Sequence, residues 1–322
     1  MKKLRVVSVQ LLTLVFFFIG CQQEKVNKTD ELFAPPRIGT PTSSPRLISS
    51  STGRTSAVAV QSQLFAFAGN NFYRIQSDDK TSTIIGVDWA GTEAATVMNG
   101  NLYAVQGGHL WKCNLTSTNC VDLGAAWGGT SFLTNDGSFI YGTQGGRIWK
   151  VNTNGGWAQL GIGDWGGSTE MGYSHGGGTN WPATPAGLYV RQGGRLWNVN
   201  TQNGNWIDFG ISSLSPYTIP NPRPSGNNVS YGILNGRLVE SIITVNSTTN
   251  AVVTPNQDWY TASDVSWTQF KNPTLNSNNI WVLRDSQIHH FRVAGGFTWP
   301  YTYQGVVPSL SGVYKIVSQQ GL

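Results

Sequence analysis

Apolar residues in this chain come in short alternating runs bounded by Gly, Asn, Ser and Thr, the pattern of β-strands and tight turns. One run, Leu102-Tyr103-Ala104-Val105-Gln106-Gly107-Gly108-His109-Leu110-Trp111, returns as Ile140-Tyr141-Gly142-Thr143-Gln144-Gly145-Gly146-Arg147-Ile148-Trp149 and again as Leu188-Tyr189-Val190-Arg191-Gln192-Gly193-Gly194-Arg195-Leu196-Trp197. Self-similarity on this scale means stacked supersecondary units, so one unit stands for the fold. Within a unit, Ala94 to Met98, Leu102 to Gln106, His109 to Asn114 and Cys120 to Gly124 read as four strands joined by tight turns. Gly107-Gly108 supplies a two-residue hairpin, since both positions take positive φ without a Cβ clash. The unit is a four-stranded antiparallel meander.

Aligning the units on the aromatic or apolar residue a few positions before each Gly-rich hairpin selects Phe65, Tyr103, Tyr141, Tyr189, Tyr231, Trp281 and Tyr314, with the first two steps 38 residues long. Longer steps carry insertions such as Ser174 to Asn180 and the Pro-rich Pro216 to Pro224, which read as loops at unit boundaries. Radial closure of such meanders leaves fewer unpaired edges than linear stacking. The last unit stops after two strands, whereas Arg46-Leu47-Ile48-Ser49-Ser50, and a second stretch near Arg37-Ile38, offer spare strands that can complete it. The expected fold is therefore all-β, a seven-bladed β-propeller of four-stranded antiparallel blades. Six blades is the alternative if the unit around Tyr231 merges with its neighbour.

The Gly-x-Leu-Tyr/Trp strands, the Asn after the second Trp strand (Val151-Asn152, Val199-Asn200) and the Trp-Gly connectors (Trp127-Gly128-Gly129, Trp165-Gly166-Gly167) resemble the propeller lectins of tachylectin and tectonin type. The similarity is clear across residues 86 to 210 and faint beyond. It implies carbohydrate binding in pockets repeated around a ring, without catalysis.

In a four-stranded blade, the connector to the next blade emerges on the same face as the hairpin between the second and third strands. Two recurring motifs therefore meet there. One is the connector, with Asp88-Trp89, Ala126-Trp127, Asp164-Trp165 and, later, Asp258-Trp259. The other is the hairpin, with Gln106 and His109, Gln144 and Arg147, Gln192 and Arg195. An indole face offers flat apolar area to the C–H side of a sugar ring, while Gln, Arg and Asp supply directional hydrogen bonds to its hydroxyls. Trp89, Trp127, Trp165, Trp259, Gln106, Gln144, Gln192, Arg147 and Arg195 are thus the candidate ligand-binding residues. Weak sites repeated around a ring gain on a polymeric glycan through effective concentration. The competing reading makes each connector Trp a wedge between blades and each Asp a cap on its own loop.

Composition agrees with strands: 39 Gly and 13 Trp with only 11% charged residues leave few helix formers. The net charge of +5 includes Lys2, Lys3 and Arg5, which open a basic, then apolar leader running to Ile19. Without them the balance is too small for a nucleic-acid footprint. The leader's apolar run is short for a mature membrane span, so residues 1–20 read as a signal peptide. Its end, Phe18-Ile19-Gly20-Cys21, resembles the lipobox of bacterial lipoproteins, which implies lipidation of Cys21 and attachment to a bacterial membrane. Gln22 beside that Cys resembles the pattern of lipoproteins sent to an outer membrane. Residues 21–45, polar and then Pro/Ser/Thr-rich, read as a flexible tether, and residues 46–322 as the propeller. In an exported chain, Cys113 and Cys120 at the two ends of a short turn are expected to form a disulfide.

No catalytic group, metal site or cofactor is expected. The acidic residues are scattered with no defensible pair for glycoside hydrolysis. His289 and His290, adjacent in a strand, point to opposite faces and cannot hold one metal together. The expectation is a lipid-anchored, multivalent, lectin-like propeller whose partner is a glycan or cell-surface polysaccharide. The alternative is an envelope scaffold binding another protein through one propeller face.

Overall fold

A computed structural model describes residues 44–48, 64–76, 80–174, 186–208, 229–234, 237–242, 271–276, 279–293, 301–308 and 310–318. Among them there is no helix. The chain begins with β1 (Arg46–Leu47), β2 (Leu64–Ala68), β3 (Asn71–Ile75) and β4 (Ser82–Val87). The second sheet contains β5 (Ala94–Met98), β6 (Asn101–Gln106), β7 (His109–Asn114) and β8 (Cys120–Ala125). The third contains β9 (Phe132–Asn135), β10 (Ile140–Gln144), β11 (Arg147–Val151) and β12 (Trp157–Gln159). The fourth contains β13 (Ser168–Ser174), β14 (Gly187–Gln192), β15 (Arg195–Val199) and β16 (Trp206–Asp208). A two-stranded sheet follows, β17 (Val229–Leu234) with β18 (Arg237–Ile242). The last full sheet is β19 (Lys271–Asn276), β20 (Asn279–Arg284), β21 (Gln287–Val293) and β22 (Tyr301–Val306), and the final strand is β23 (Val313–Ser318).

Every pairing is antiparallel, and each sheet is a meander in chain order apart from the first, whose order is β1-β4-β3-β2-β23. The leading strands of successive sheets lie side by side, β19 against β23, β23 against β5, β5 against β9 and β9 against β13. This is the layout of a β-propeller with blades set around an axis.

The blade count differs from the one read off the repeats. Among the described residues there are five complete blades, where the repeats suggested seven, with six as the alternative. Among the described residues, two of the counted units do not make complete blades. The Tyr314 unit supplies only β23, which pairs with β2 and belongs to the Phe65 blade. The Tyr231 unit supplies the two strands β17 and β18. The N-terminal segment also acts differently from expectation. β1 does not complete a seventh sheet; it adds a fifth strand to the outer edge of the first, with Arg46 opposite Val87 and Leu47 opposite Gly86. Both ends of the domain thus join the same sheet, β23 at its inner edge and β1 at its outer edge. The stretch near Arg37-Ile38 lies outside the described residues.

The core is a set of layers between neighbouring blades, and it follows from the period-two alternation of strand side chains. In β2, Phe65 and Phe67 join a cluster with Ala95, Val97, Leu102 and Ala104 of the second blade. The intervening Leu64, Ala66 and Ala68 join Trp281, Leu283 and Ile288 of the last. β6 divides the same way, its Leu102 and Ala104 toward the first blade and its Tyr103 and Val105 toward Leu133, Ile140 and Val151 of the third. Both faces of each central strand are buried, so the strands read as nearly continuous apolar runs.

Candidate functional site

The connector and hairpin motifs do meet on one face. Each connector is a four-residue turn in which Gly91, Gly129 or Gly167 sits at the third position with φ of +74°, +79° or +75°, a conformation that an L side chain strains to adopt. The residue after it closes the turn through its hydroxyl: Thr92 Oγ1 donates to Trp89 O at 2.8 Å, Thr130 Oγ1 to Trp127 O at 2.6 Å, and Ser168 Oγ to Trp165 O at 2.7 Å. The connector Trp N–H then donates to the hairpin of the preceding blade, Trp127 N to Gly108 O at 2.8 Å and Trp165 N to Gly146 O at 2.6 Å.

The Gln of the following blade holds the connector from the other side. Gln106 Nε2 donates to Asp88 O at 2.6 Å and Ala90 O at 2.9 Å. Gln144 Nε2 donates to Ala126 O at 2.6 Å and Gly128 O at 2.8 Å, and Gln192 Nε2 to Asp164 O at 3.0 Å and Gly166 O at 2.5 Å. Both amide protons are consumed in each case, which satisfies backbone carbonyls that the turn leaves open. These Gln side chains are staples between blades, and their amide donors are not free for a ligand.

The indoles are equally committed. Trp89, Trp127 and Trp165 are 0%, 4% and 5% exposed and belong to the apolar layers between blades. None presents a ring face to solvent, so the expectation that they form sugar platforms is corrected: the connector Trp is the wedge. The reason is that the connector crosses from the outside of one sheet to the inside of the next, and a large apolar side chain there falls into the gap between them. Trp259 and Asp258 lie outside the described residues.

Positions after the hairpin are also engaged. Arg195 Nε donates to Asp208 Oδ2 at 2.8 Å, and its Nη2 meets the same oxygen. His109 Nδ1 lies 2.8 Å from Asp122 Oδ2. In the third blade Gln159 stands where the others carry Asp, and Arg147 Nη1 donates instead to Ile162 O at 3.0 Å and Gly163 O at 3.1 Å. Connector Asp164 Oδ1 accepts Gly166 N at 2.9 Å, the loop-capping role.

The opposite face repeats a second scheme that the sequence reading missed. Arg74 Nη2, Lys112 Nζ and Lys150 Nζ each donate to a turn carbonyl of the next blade, Leu115 O, Thr153 O and Thr201 O, at 3.3, 3.0 and 3.1 Å. The turns are folded by the Asn noted in the repeats, since Asn114, Asn152 and Asn200 accept backbone N–H groups two or three residues on. Period-two counting could have placed these cations on the blade-facing side.

Exposed aromatic surface is found elsewhere, on the outermost strands. Trp157 and Trp206 are 49% and 51% exposed. Trp157 stands edge to face on Trp149, with ring centroids 5.1 Å apart at 88°, and Trp206 stands the same way on Trp197, at 5.2 Å and 85°. Register makes the two equivalent: Trp157 lies opposite Val151, and Trp206 opposite Val199. Two residues along the same strand face stand Gln159 and Asp208, the latter joined to Arg195. The matching cross-strand pair in the second blade is Cys113 with Cys120, which form a disulfide with S–S of 2.01 Å.

Two titratable sites, one half-buried at Glu170 and one buried at His289 and His290, lie apart from both schemes. Burial pushes Glu170 up to about 7, an effect that the nearby Arg191 guanidinium partly offsets. His289 Nδ1 lies 3.0 Å from Tyr303 Oη, and burial lowers its pKa. His290 stacks on Trp281 with ring centroids 3.8 Å apart, and its Nε2 lies 2.8 Å from Asn279 Oδ1. Among the described residues no group of three or more His, Cys, Asp or Glu side chains gathers as metal ligands. No helix among them is long and apolar enough to cross a membrane, and Cys21 and the leader lie outside them.

No protein-family model and no curated protein sequence matches the chain. The fold itself is shared with solved structures. A chain of the nidogen/laminin complex superposes with a TM-score of 0.57 at 10% identity, over 80% of this chain and 98% of the other. TolB from Acinetobacter baumannii superposes with a TM-score of 0.51 at 9% identity, over 80% of this chain and 66% of TolB. Both are β-propeller proteins. At such identities the likeness establishes the architecture alone: the chain is a β-propeller of four-stranded antiparallel blades.

Proposed function

We propose that this chain is an exported, lipid-anchored, non-catalytic propeller that binds carbohydrate at its outer rim. The single observation behind the proposal is the pair of half-exposed indoles, Trp157 and Trp206, at equivalent positions in consecutive blades. A large apolar ring held in place by a second ring, beside hydrogen-bonding groups such as Gln159 and the Arg195–Asp208 pair, suits a ligand that is apolar on its faces and polar at its edge. The lipobox-like Phe18 to Cys21 and the polar tether after it support attachment to the cell envelope, where a glycan is at hand. The connectors, with their buried indoles and stapled carbonyls, serve as frame.

The test is a printed glycan array probed with the full chain in mild detergent. Binding to at least one glycan, weakened in Trp206→Leu, is the expected result. An empty array from folded protein removes the carbohydrate reading. A second reading, an envelope scaffold for another protein, is favoured by the exposed Ile84, Val121 and Ile162 at or beside the outer strands. It predicts one stoichiometric partner after cross-linking in cells, and loss of that partner in Val121→Lys.

A further inference from the structure

Resting on the carbohydrate reading above, we infer that Trp157 and Trp206 are successive subsites for one neutral, linear polysaccharide laid across the edges of the third and fourth blades. Both indoles project from the same registered position, opposite Val151 and Val199. The two blade edges touch through glycines: a Cβ placed on Gly204 would fall 2.4 Å from Gly161 Cα. Trp157 is four residues from that contact and Trp206 is two. At the reach of about 3.6 Å per residue of extended chain, the two Trp backbones cannot be more than about 25 Å apart.

The surroundings choose the ligand's charge. Asp208 is neutralised by Arg195, and Gln159, uncharged, takes the corresponding place beside Trp157, donating to Gly161 O at 2.6 Å. An acidic or basic polymer finds no unpaired countercharge among these residues, whereas hydroxyls meet donors and acceptors. The track ends toward the second blade, because Cys120 holds the place of the third indole and its sulfur is committed to Cys113. Within the third and fourth blades, two subsites therefore set the length of chain that is read.

The experiment measures affinity of the full chain for the chito-, cello-, malto- and xylo-oligosaccharide series, from single sugars to long oligomers, with an acidic polymer such as polygalacturonate beside them. Affinity is expected to climb with length by at least about tenfold and then level off once both indoles are spanned. Trp157→Leu and Trp206→Leu, which keep apolar cover on Trp149 and Trp197, are each expected to abolish that length-dependent gain while leaving the weak binding of short sugars at the remaining indole. Binding independent of length, or tighter binding of the acidic polymer, overturns the two-subsite inference and leaves the carbohydrate reading standing. Failure of every saccharide to bind overturns both. Melting curves of the two variants separate lost binding from lost folding, and a Trp157→Phe variant that recovers part of the gain ties it to the ring face.

Discussion

Around the connectors, the second, third and fourth blades repeat one hydrogen-bond scheme, with a hydroxyl-closed turn, a buried indole and a Gln that spans two carbonyls. At their outer edges the same three blades diverge. One registered cross-strand pair is a disulfide in the second blade, Val151 with Trp157 in the third and Val199 with Trp206 in the fourth. The regular region is the one that joins blade to blade, where every unit must meet the same neighbour in the same way. The irregular region is largely exposed and meets its neighbours at few points, such as Gly161 and Gly204, so its remaining residues are free to differ. Repetition in this chain therefore marks architecture, and the places where repetition lapses are the places to look for recognition.

That contrast can be tested from its strongest side first. Replacing a connector wedge, as in Trp165→Ala, opens a cavity between blades and is expected to cost about 3–5 kcal/mol in equilibrium denaturant unfolding. A loss below about 1 kcal/mol would mean that the wedge is not holding the blades. Next in size is the disulfide, which closes a loop of sequence separation 7. Paired Cys113→Ser and Cys120→Ser changes are expected to cost roughly 2–3 kcal/mol on the chain-entropy account. A Cys113→Val with Cys120→Trp chain, which copies the neighbouring blades, should recover part of that if the two kinds of clamp are interchangeable.

Removing a staple should matter somewhat less. Gln106→Ala leaves the carbonyls of Asp88 and Ala90 without their donor and is expected to cost about 1–3 kcal/mol, read from thermal unfolding. Smaller again is a pH effect at one departure from the repeat on the inner strands. Ala94 opposite Val105 and Phe132 opposite Thr143 correspond to Glu170 opposite Arg191. Because burial raises the folded-state pKa of Glu170 from 4.5 to about 7, the folded protein keeps a proton between those values that the unfolded chain has released. Stability should therefore fall as pH rises from 4.5 to 7, on the order of 1 kcal/mol, and Glu170→Gln should flatten that slope. The smallest stability change is expected at the rim, where Trp206→Leu should cost under about 1 kcal/mol, the behaviour of a surface position.

Much of the fold was legible before any coordinates. The recurrence of Tyr103, Tyr141 and Tyr189 between Gly-rich turns marks antiparallel meanders, and Cys113 and Cys120 flank a turn short enough to bring their strands into register. The count of blades was not legible, because β23 looks like the start of another unit while its partner, β2, lies at the far end of the sequence. The role of Trp127 was not legible either. A Trp beside Gly in a turn has the same local signature whether its ring enters the solvent or the gap between two sheets, and only the packing of the next blade distinguishes them. Trp157 and Trp206 escaped notice for the opposite reason, since each follows an Asn-rich turn with no repeat in the second blade to draw attention to it.

Short-range physics was thus written in the chain itself. Strand period, turn glycines and the Asn-folded loops depend on residues a few positions apart, and these determine what one blade is. What the tertiary structure decided was which side chains remain for a partner. Exposure is a property of the second and third neighbours that close over a residue, and those neighbours come from separate blades or, for the first blade, from both ends of the domain.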